Sequence, residues 1–201
     1  MKHRIFLGIN LPEDIRKRLV IRQRKINELF APEIGEDFSS VTPIRWTKPA
    51  NLHITLVFLG YLSDDEVGEI CIIANEIISK HQAFSIKLTD ILYGPPGKMP
   101  PRMIWLKGES SKELTALRND LENILFTGGF GLQSEKREFS PHITLGRISA
   151  FEWRKINPEE MPQVEEKVNL NFSVNSIEIM ERVLKKGGPN YAIMESILLA
   201  D

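Results

Sequence analysis

The stretch Leu52-His53-Ile54-Thr55-Leu56-Val57-Phe58-Leu59 and its later echo Pro141-His142-Ile143-Thr144-Leu145-Gly146-Arg147 decide how this chain is read. Both contain His-Ile-Thr-Leu, and the two copies use two of the four histidines in 201 residues. Alternating apolar and polar residues rich in β-branched types predict a strand, on which successive side chains point to opposite faces. His53 and Thr55 then share one face while Ile54 and Leu56 take the other, and His142 and Thr144 stand likewise against Ile143 and Leu145. At a rise of ~3.4 Å per residue, each imidazole and its hydroxyl are about 7 Å apart along the strand. One face suits chemistry, the other a core.

Outward from the first copy, the pattern predicts a strand over 2–10 and a helix opened by Pro12, with Ile15, Leu19, Arg22, Ile26 and Leu29 at helical spacing. A Pro/Gly/Ser-containing loop over 31–43 leads to a strand at 44–47 and the first motif strand at 52–60. Ser63-Asp-Asp-Glu66 is a capping box, and its helix runs to about Lys80. A strand follows from Phe84. Residues 94–101, Gly-Pro-Pro-Gly-Lys-Met-Pro-Pro, admit neither helix nor central strand and are read as the crossover between two halves. Strand 103–107, helix 110–126 with Gly128-Gly129 as its stop, and the second motif strand at 139–148 come next. An irregular or short helical segment spans 150–163. Two final strands, 168–183 and 190–199, are joined by a Lys-Lys-Gly-Gly-Pro-Asn turn.

The two tetrapeptides stand nearly half the chain apart, in halves that share the order strand, helix, motif strand, helical segment, strand. This predicts a single domain over 1–201 with an α+β, bilobal, duplicated fold. Two antiparallel-rich sheets would flank a central cleft with helices on the outside, and the lobes would divide near 94–101 with strand exchange between them.

Composition narrows the functions. The chain is 42% hydrophobic and 26% charged, as in an ordinary globular protein. Its 26 Lys and Arg against 27 Asp and Glu give a net charge of −1, which excludes broad charge-driven coating of long nucleic acid. A local basic cleft for one terminal phosphate remains compatible with it. The single cysteine, Cys71, excludes an internal disulfide framework and a cysteine-based zinc cluster, and its place on an amphipathic helix reads as core. No apolar run reaches membrane-spanning length and no signal peptide is evident, so a cytoplasmic protein is expected.

If a pseudo-twofold axis relates the halves, two His-Thr pairs flank one bound group from opposite sides. In-line displacement at phosphorus needs a base for the attacking oxygen and an acid for the departing one. Histidine, with an ordinary pKa of ~6.5, fits both tasks. Threonine hydroxyls can donate to the non-bridging oxygens. The scheme requires no metal and no cofactor, and a metallohydrolase lacks both an acidic residue beside either motif and good ligands in the threonines. A single His-x-Thr means little by itself; the duplication gives it weight.

These two motifs resemble the 2H phosphoesterase superfamily and, within it, the RNA 2′,3′-cyclic phosphodiesterases historically called 2′-5′ RNA ligases. The similarity covers nearly the whole length: Arg4-Ile-Phe-Leu-Gly-Ile-Asn-Leu-Pro12, residues 51–60, Pro101-Arg-Met-Ile-Trp-Leu106 and Phe139-Ser-Pro-His-Ile-Thr-Leu-Gly-Arg147. The resemblance implies motifs lining a central groove and metal-independent hydrolysis of 2′,3′-cyclic phosphate ends to 2′-phosphates. By motif, His53 is the general acid for O3′ and His142 the general base for water, and the reverse reaction, 2′-5′ joining, exchanges these roles. Thr55, Thr144 and Arg147 are implied as phosphate contacts. The expected partners are RNA ends or small nucleotides bearing the cyclic phosphate, bound by a monomer.

Strict alternation puts Arg147 on the face opposite His142, so a bend or bulge near Gly146 is required. The same rule turns Phe58 away from His53, toward the core. Trp46 and Trp105 read as packed strand residues, with stacking against a base left open for Trp46. Arg102, Arg45, Lys48, Lys136 and Arg137 are either cleft cations or solvated charges. A non-catalytic RNA-end-binding module is the reading from another class, and two titrating groups are more than binding needs.

Overall fold

The computed structural model describes residues 1–30, 43–128, 139–186 and 188–200. Most of the expected loop at 31–43, together with Gly129, Lys136 and Arg137, lies outside the described residues.

Among the described residues the elements are β1 (His3–Asn10), α1 (Glu13–Leu29), β2 (Ile44–Trp46), β3 (His53–Leu62), α2 (Asp64–Ile78), β4 (Phe84–Gly94), β5 (Met103–Gly108), α3 (Lys112–Thr127), β6 (His142–Ile148), α4 (Ala150–Trp153), β7 (Glu166–Val174), β8 (Ser176–Lys185) and β9 (Gly188–Leu198). Local chemistry accounts for the helix starts. Ser63 accepts from Glu66 N while Glu66 takes the Ser63 N–H, so both ends of the capping box are made. Ser111 caps α3 through Leu114 N. On α1 the buried side chains are Ile15, Leu19, Gln23 and Ile26. Arg22 instead pairs with Glu166 and Leu29 is exposed, so the apolar stripe runs through a glutamine.

The fold is α+β, with antiparallel strands in the order β7-β4-β5-β6-β3-β1-β8-β9 and β2 on β6. The motif strands β3 and β6 meet in the middle at one residue pair, Ile54 with Ile143. On one side of that seam lie β3, β1, β8 and β9; on the other lie β7, β4, β5, β6 and β2. Helix α3 packs against β3 and α2, and α1 against β6. The inward residues of both motifs, Ile54, Leu56, Ile143 and Leu145, are buried in the common core. Burying each such side chain contributes about 1.5–3 kcal/mol, which anchors the histidines that alternate with them. No helix among the described residues is long and apolar enough to cross a membrane.

Two boundaries differ from expectation. Residues 94–101 do not pass between halves: Tyr93 pairs with Ile104 and Gly94 with Met103, so the run closes a hairpin within one half. Prolines can end a strand without leaving the sheet, and here the chain crosses the seam through α2 instead. The expected strand 168–183 is two strands broken at Asn175, with β7 on β4 and β8 on β1. Burial alternates through Val168, Leu170, Phe172 and Val174, then becomes continuous over Ile177, Glu178, Ile179 and Met180. That change of pattern marks the passage from one half to the other.

Candidate active site

Each motif strand carries a bulge at the same place. Opposite β1, Leu7 pairs with Val57 and Gly8 with Thr55, leaving Leu56 as the extra residue. Opposite β5, Ile104 pairs with Gly146 and Trp105 with Thr144, leaving Leu145. A bulge shifts the alternation by one, so Leu56 and Val57 are both buried, as are Leu145 and Gly146. The fifth residue after each histidine is thereby returned to the histidine's face. For Arg147 this is the turn that alternation demanded. Phe58 is corrected by the same device: it is exposed, and it lines the cleft instead of the core.

Two buried polar side chains brace these bulges from the helices. Gln23 of α1 donates to Leu145 O (2.9 Å) and to Thr47 O (2.9 Å). Arg118 of α3 donates from Nε to Leu56 O (3.3 Å), while its Nη2 pairs with Glu122 (2.5 Å) and its guanidinium lies over Phe139. Buried carbonyls left without donors are costly, so these side chains favour the bulged geometry. Sequence reasoning missed both, although a glutamine at i, i+4 spacing within an apolar stripe is a visible signal.

The imidazoles are held alike. His53 Nδ1 donates to Asn51 O and His142 Nδ1 to Ser140 O, each at 2.7 Å and each two residues back. A carbonyl only accepts, so Nδ1 carries the hydrogen and Nε2 is left for proton transfer. On β3, Thr55 Oγ1 lies 2.9 Å from His53 Nε2 and donates to it in the neutral ring. Asn51 is buried and ties this site to β9: its Nδ2 donates to Pro189 O (2.8 Å) and its Oδ1 accepts from Tyr191 N (3.1 Å). Tyr191 stands edge-on to His53 with centroids 5.0 Å apart, and Phe6 packs at 5.0 Å. Gly8 allows the close approach of β3, since a Cβ there would meet the Ile54 carbonyl oxygen at 2.8 Å. His142 instead stacks on Trp105, 3.7 Å between centroids and 21° between planes.

A cavity of about 470 Å³ opens along the seam, walled by His53 and Phe58 from β3 and by Thr144 and Arg147 from β6. Thr55 and His142 are not among the lining residues: Thr55 reaches the site through its hydrogen bond with His53 Nε2, and His142 stands two residues before Thr144 on β6. Burial depresses the pKa of His53, the Asn51 carbonyl opposes that shift, and the positive charges of His142 and Arg147 lower it further. Of the predicted residues, His53, Thr144 and Arg147 line the cavity, while Thr55 and His142 adjoin them on the same two strands. Arg45 and Lys48 also line the wall, as do Arg4 and Arg182, which sequence reasoning passed over. No acidic side chain lines the cavity among the described residues. Arg45 lies against Gly188, where any Cβ would collide with the guanidinium and where φ is +111°.

Other candidates fall elsewhere. Arg102 is exposed and outside the wall. Trp46 is a packed residue whose Nε1 donates to Asn27 Oδ1 (2.8 Å), with one edge in the cavity. His3 pairs with Glu181 and Asp64, and His81 with Asp120. Among the described residues no three His, Cys, Asp or Glu side chains converge as metal ligands would. The cationic wall suits an anion, and two fixed imidazoles suit moving protons to and from it.

Comparison with known proteins matches the chain to a family. Residues 14–186 fit the family model described as the 2′-5′ RNA ligase superfamily. An RNA 2′,3′-cyclic phosphodiesterase of Thermotoga maritima is 26% identical, covering 95% of this chain and 92% of its own. One from Bacillus subtilis is 32% identical, covering 71% of this chain and 69% of its own. The crystal structure of E. coli LigT complexed with 3′-AMP superposes with a TM-score of 0.76 over 100% of both chains, at 24% identity, a likeness of fold.

Proposed function

The chain belongs to the 2′-5′ RNA ligase superfamily, and from that premise we propose that it hydrolyses 2′,3′-cyclic phosphate ends of RNA to 2′-phosphomonoesters without a metal, using His53 and His142. The observation that carries this reading is the matched pair of imidazoles, each locked through Nδ1 to the carbonyl two residues back, on strands that meet only at Ile54 and Ile143.

In the proposed reaction His142 takes a proton from water as its oxygen attacks phosphorus. The P–O3′ bond breaks and His53 gives its proton to O3′, leaving a 2′-phosphate and a 3′-hydroxyl. Arg147, Thr144 and Thr55 hold the non-bridging oxygens. The depressed pKa of His53 in the unliganded protein bears on its acid role. Its largest cause is burial; the charges of His142 and Arg147 add to it, and a bound phosphate offsets these two. The substrate therefore raises the proton affinity of the group that must donate. With an RNA 5′-hydroxyl as the partner alcohol, the same pair run backwards would make a 2′-5′ bond.

The test is hydrolysis of a cyclic-phosphate-ended oligonucleotide in chelator, with the product read by phosphorus NMR. A 2′-phosphate formed at full rate is expected; loss of activity that added metal restores, or a 3′-phosphate product, would overturn the proposal. A substrate with sulfur at the 3′ leaving position needs no acid and should rescue His53→Ala but not His142→Ala. The opposite rescue would exchange the two roles.

A further inference from the structure

The cavity carries more positive charge than one cyclic phosphate can use. Arg45, Lys48 and Arg147 stand toward the β2–β6 side, while Arg4 and Arg182 come from β1 and β8 across the seam. Strands β1 and β8 are adjacent, and Ile5 pairs with Glu181, so Arg4 and Arg182 occupy the next position on each strand. Like charges set opposite one another repel. Neither has a carboxylate partner among the described residues: Arg4 lies over the Tyr61 ring at 5.8 Å, and Arg182 Nε is buried with no hydrogen-bond acceptor. A fold that sets two guanidiniums together, one with an unmet buried donor, is completed by an anion.

We propose that Arg4 and Arg182 form a second phosphate subsite, one that takes the phosphate on the 5′ side of the nucleotide bearing the cyclic end. This rests on the cyclic phosphodiesterase reading above. Phe6 packs against His53, and Arg4 lies two residues farther along the same strand, about 7 Å at the strand rise. Tyr191, the cross-strand partner of Arg182, stands edge-on to His53. The aromatic rings thus lie between the histidine site and the arginine pair, as the sugar of one nucleotide lies between its 3′ and 5′ phosphates. The shared chemistry is a 5′-phosphate ester, supplied by the next linkage of an RNA chain or by the 5′-phosphate of a small nucleotide.

Three substrates test it: adenosine 2′,3′-cyclic phosphate, its 5′-phosphorylated form, and the dinucleotide ApA with a 2′,3′-cyclic end. The protein should favour the last two over the first by about tenfold or more in kcat/KM, the range for charge-assisted contacts. In the Arg4→Gln/Arg182→Gln variant that ratio should fall to near one. A preference for the 5′-phosphorylated mononucleotide alone supports the subsite and names small nucleotides as the source. A preference for the dinucleotide alone overturns it, because the gain then comes from the added nucleoside. Equal rates on all three in the wild type also overturn it. Calorimetry with adenosine 3′,5′-bisphosphate against 3′-AMP separates this from failure of the catalytic reading. Tighter binding of the bisphosphate that the double substitution abolishes supports the subsite even if none of the three substrates is cleaved. Equal binding overturns it.

Discussion

The two His-Ile-Thr-Leu strands are built to one plan and set in different surroundings. In both, the histidine Nδ1 is bonded two residues back, the leucine is a bulge, and a helix side chain holds the bulge carbonyl. The difference begins at the neighbouring strand. Gly8 stands opposite Thr55 and the His53 ring packs among Phe6 and Tyr191, whereas Trp105 stands opposite Thr144 and stacks flat on His142. The fifth residue differs too: Phe58 after one histidine, Arg147 after the other. A duplicated frame thus fixes two equivalent imidazoles, and a few unequal neighbours make one a half-buried ring between two aromatics and the other a ring on an indole face. An acid and a base need that inequality.

The largest expected effect breaks the pair itself. His53→Ala and His142→Ala should each lower turnover by about 10²–10⁴-fold, the range for losing general acid or base help. Near-wild-type rates for either would show that the two strands are not a catalytic pair. Next comes the unequal fifth position. Arg147→Leu should cost about 10²-fold in kcat/KM through lost charge stabilisation, whereas Phe58→Leu should cost under about tenfold. Equal losses would mean that the bulge, and not the charge it presents, is what matters there.

The braces come third and are read in stability. Gln23→Leu and Arg118→Met should each destabilise the fold by about 1–3 kcal/mol in urea titrations, with Arg118 at the upper end because Glu122 loses its partner. A neutral result at either would detach that helix from its motif strand. The smallest effect is a titration. By NMR, His53 should titrate below 6.5 in the unliganded protein and move upward when inorganic phosphate is added. Its folded pKa is below the unfolded one, so the unfolded chain takes up the proton first. The stability linked to this group is therefore complete above the unfolded value and lost as pH falls through the folded one. An unmoved resonance on adding phosphate would show that His142 and Arg147 do not hold the anion beside His53.

Much of this site was legible before any coordinates. Strand periodicity alone separates His53, Thr55, His142 and Thr144 from the leucines and isoleucines between them, and the capping box at Ser63 announces α2. The same periodicity misplaced Phe58, because a rule of two has no room for an extra residue unless something forces it. Arg147 supplied that force by its implied role; Phe58 supplied none. The proline run at 94–101 looked like a boundary because prolines interrupt elements, and local sequence does not reveal whether the next strand returns to the same sheet.

The chain by itself determined which side chains of each motif share a face with the histidine and which build the core, since both follow from spacing along one strand. It also determined that there are two such strands. Only the tertiary structure decided that they meet at Ile54 and Ile143, that Gln23 and Arg118 reach them from distant helices, and that Arg4 and Arg182 share their cavity. The physical reason is range: alternation and capping act over a few residues, whereas the seam, the braces and the charge of the wall arise between strands that only folding brings together.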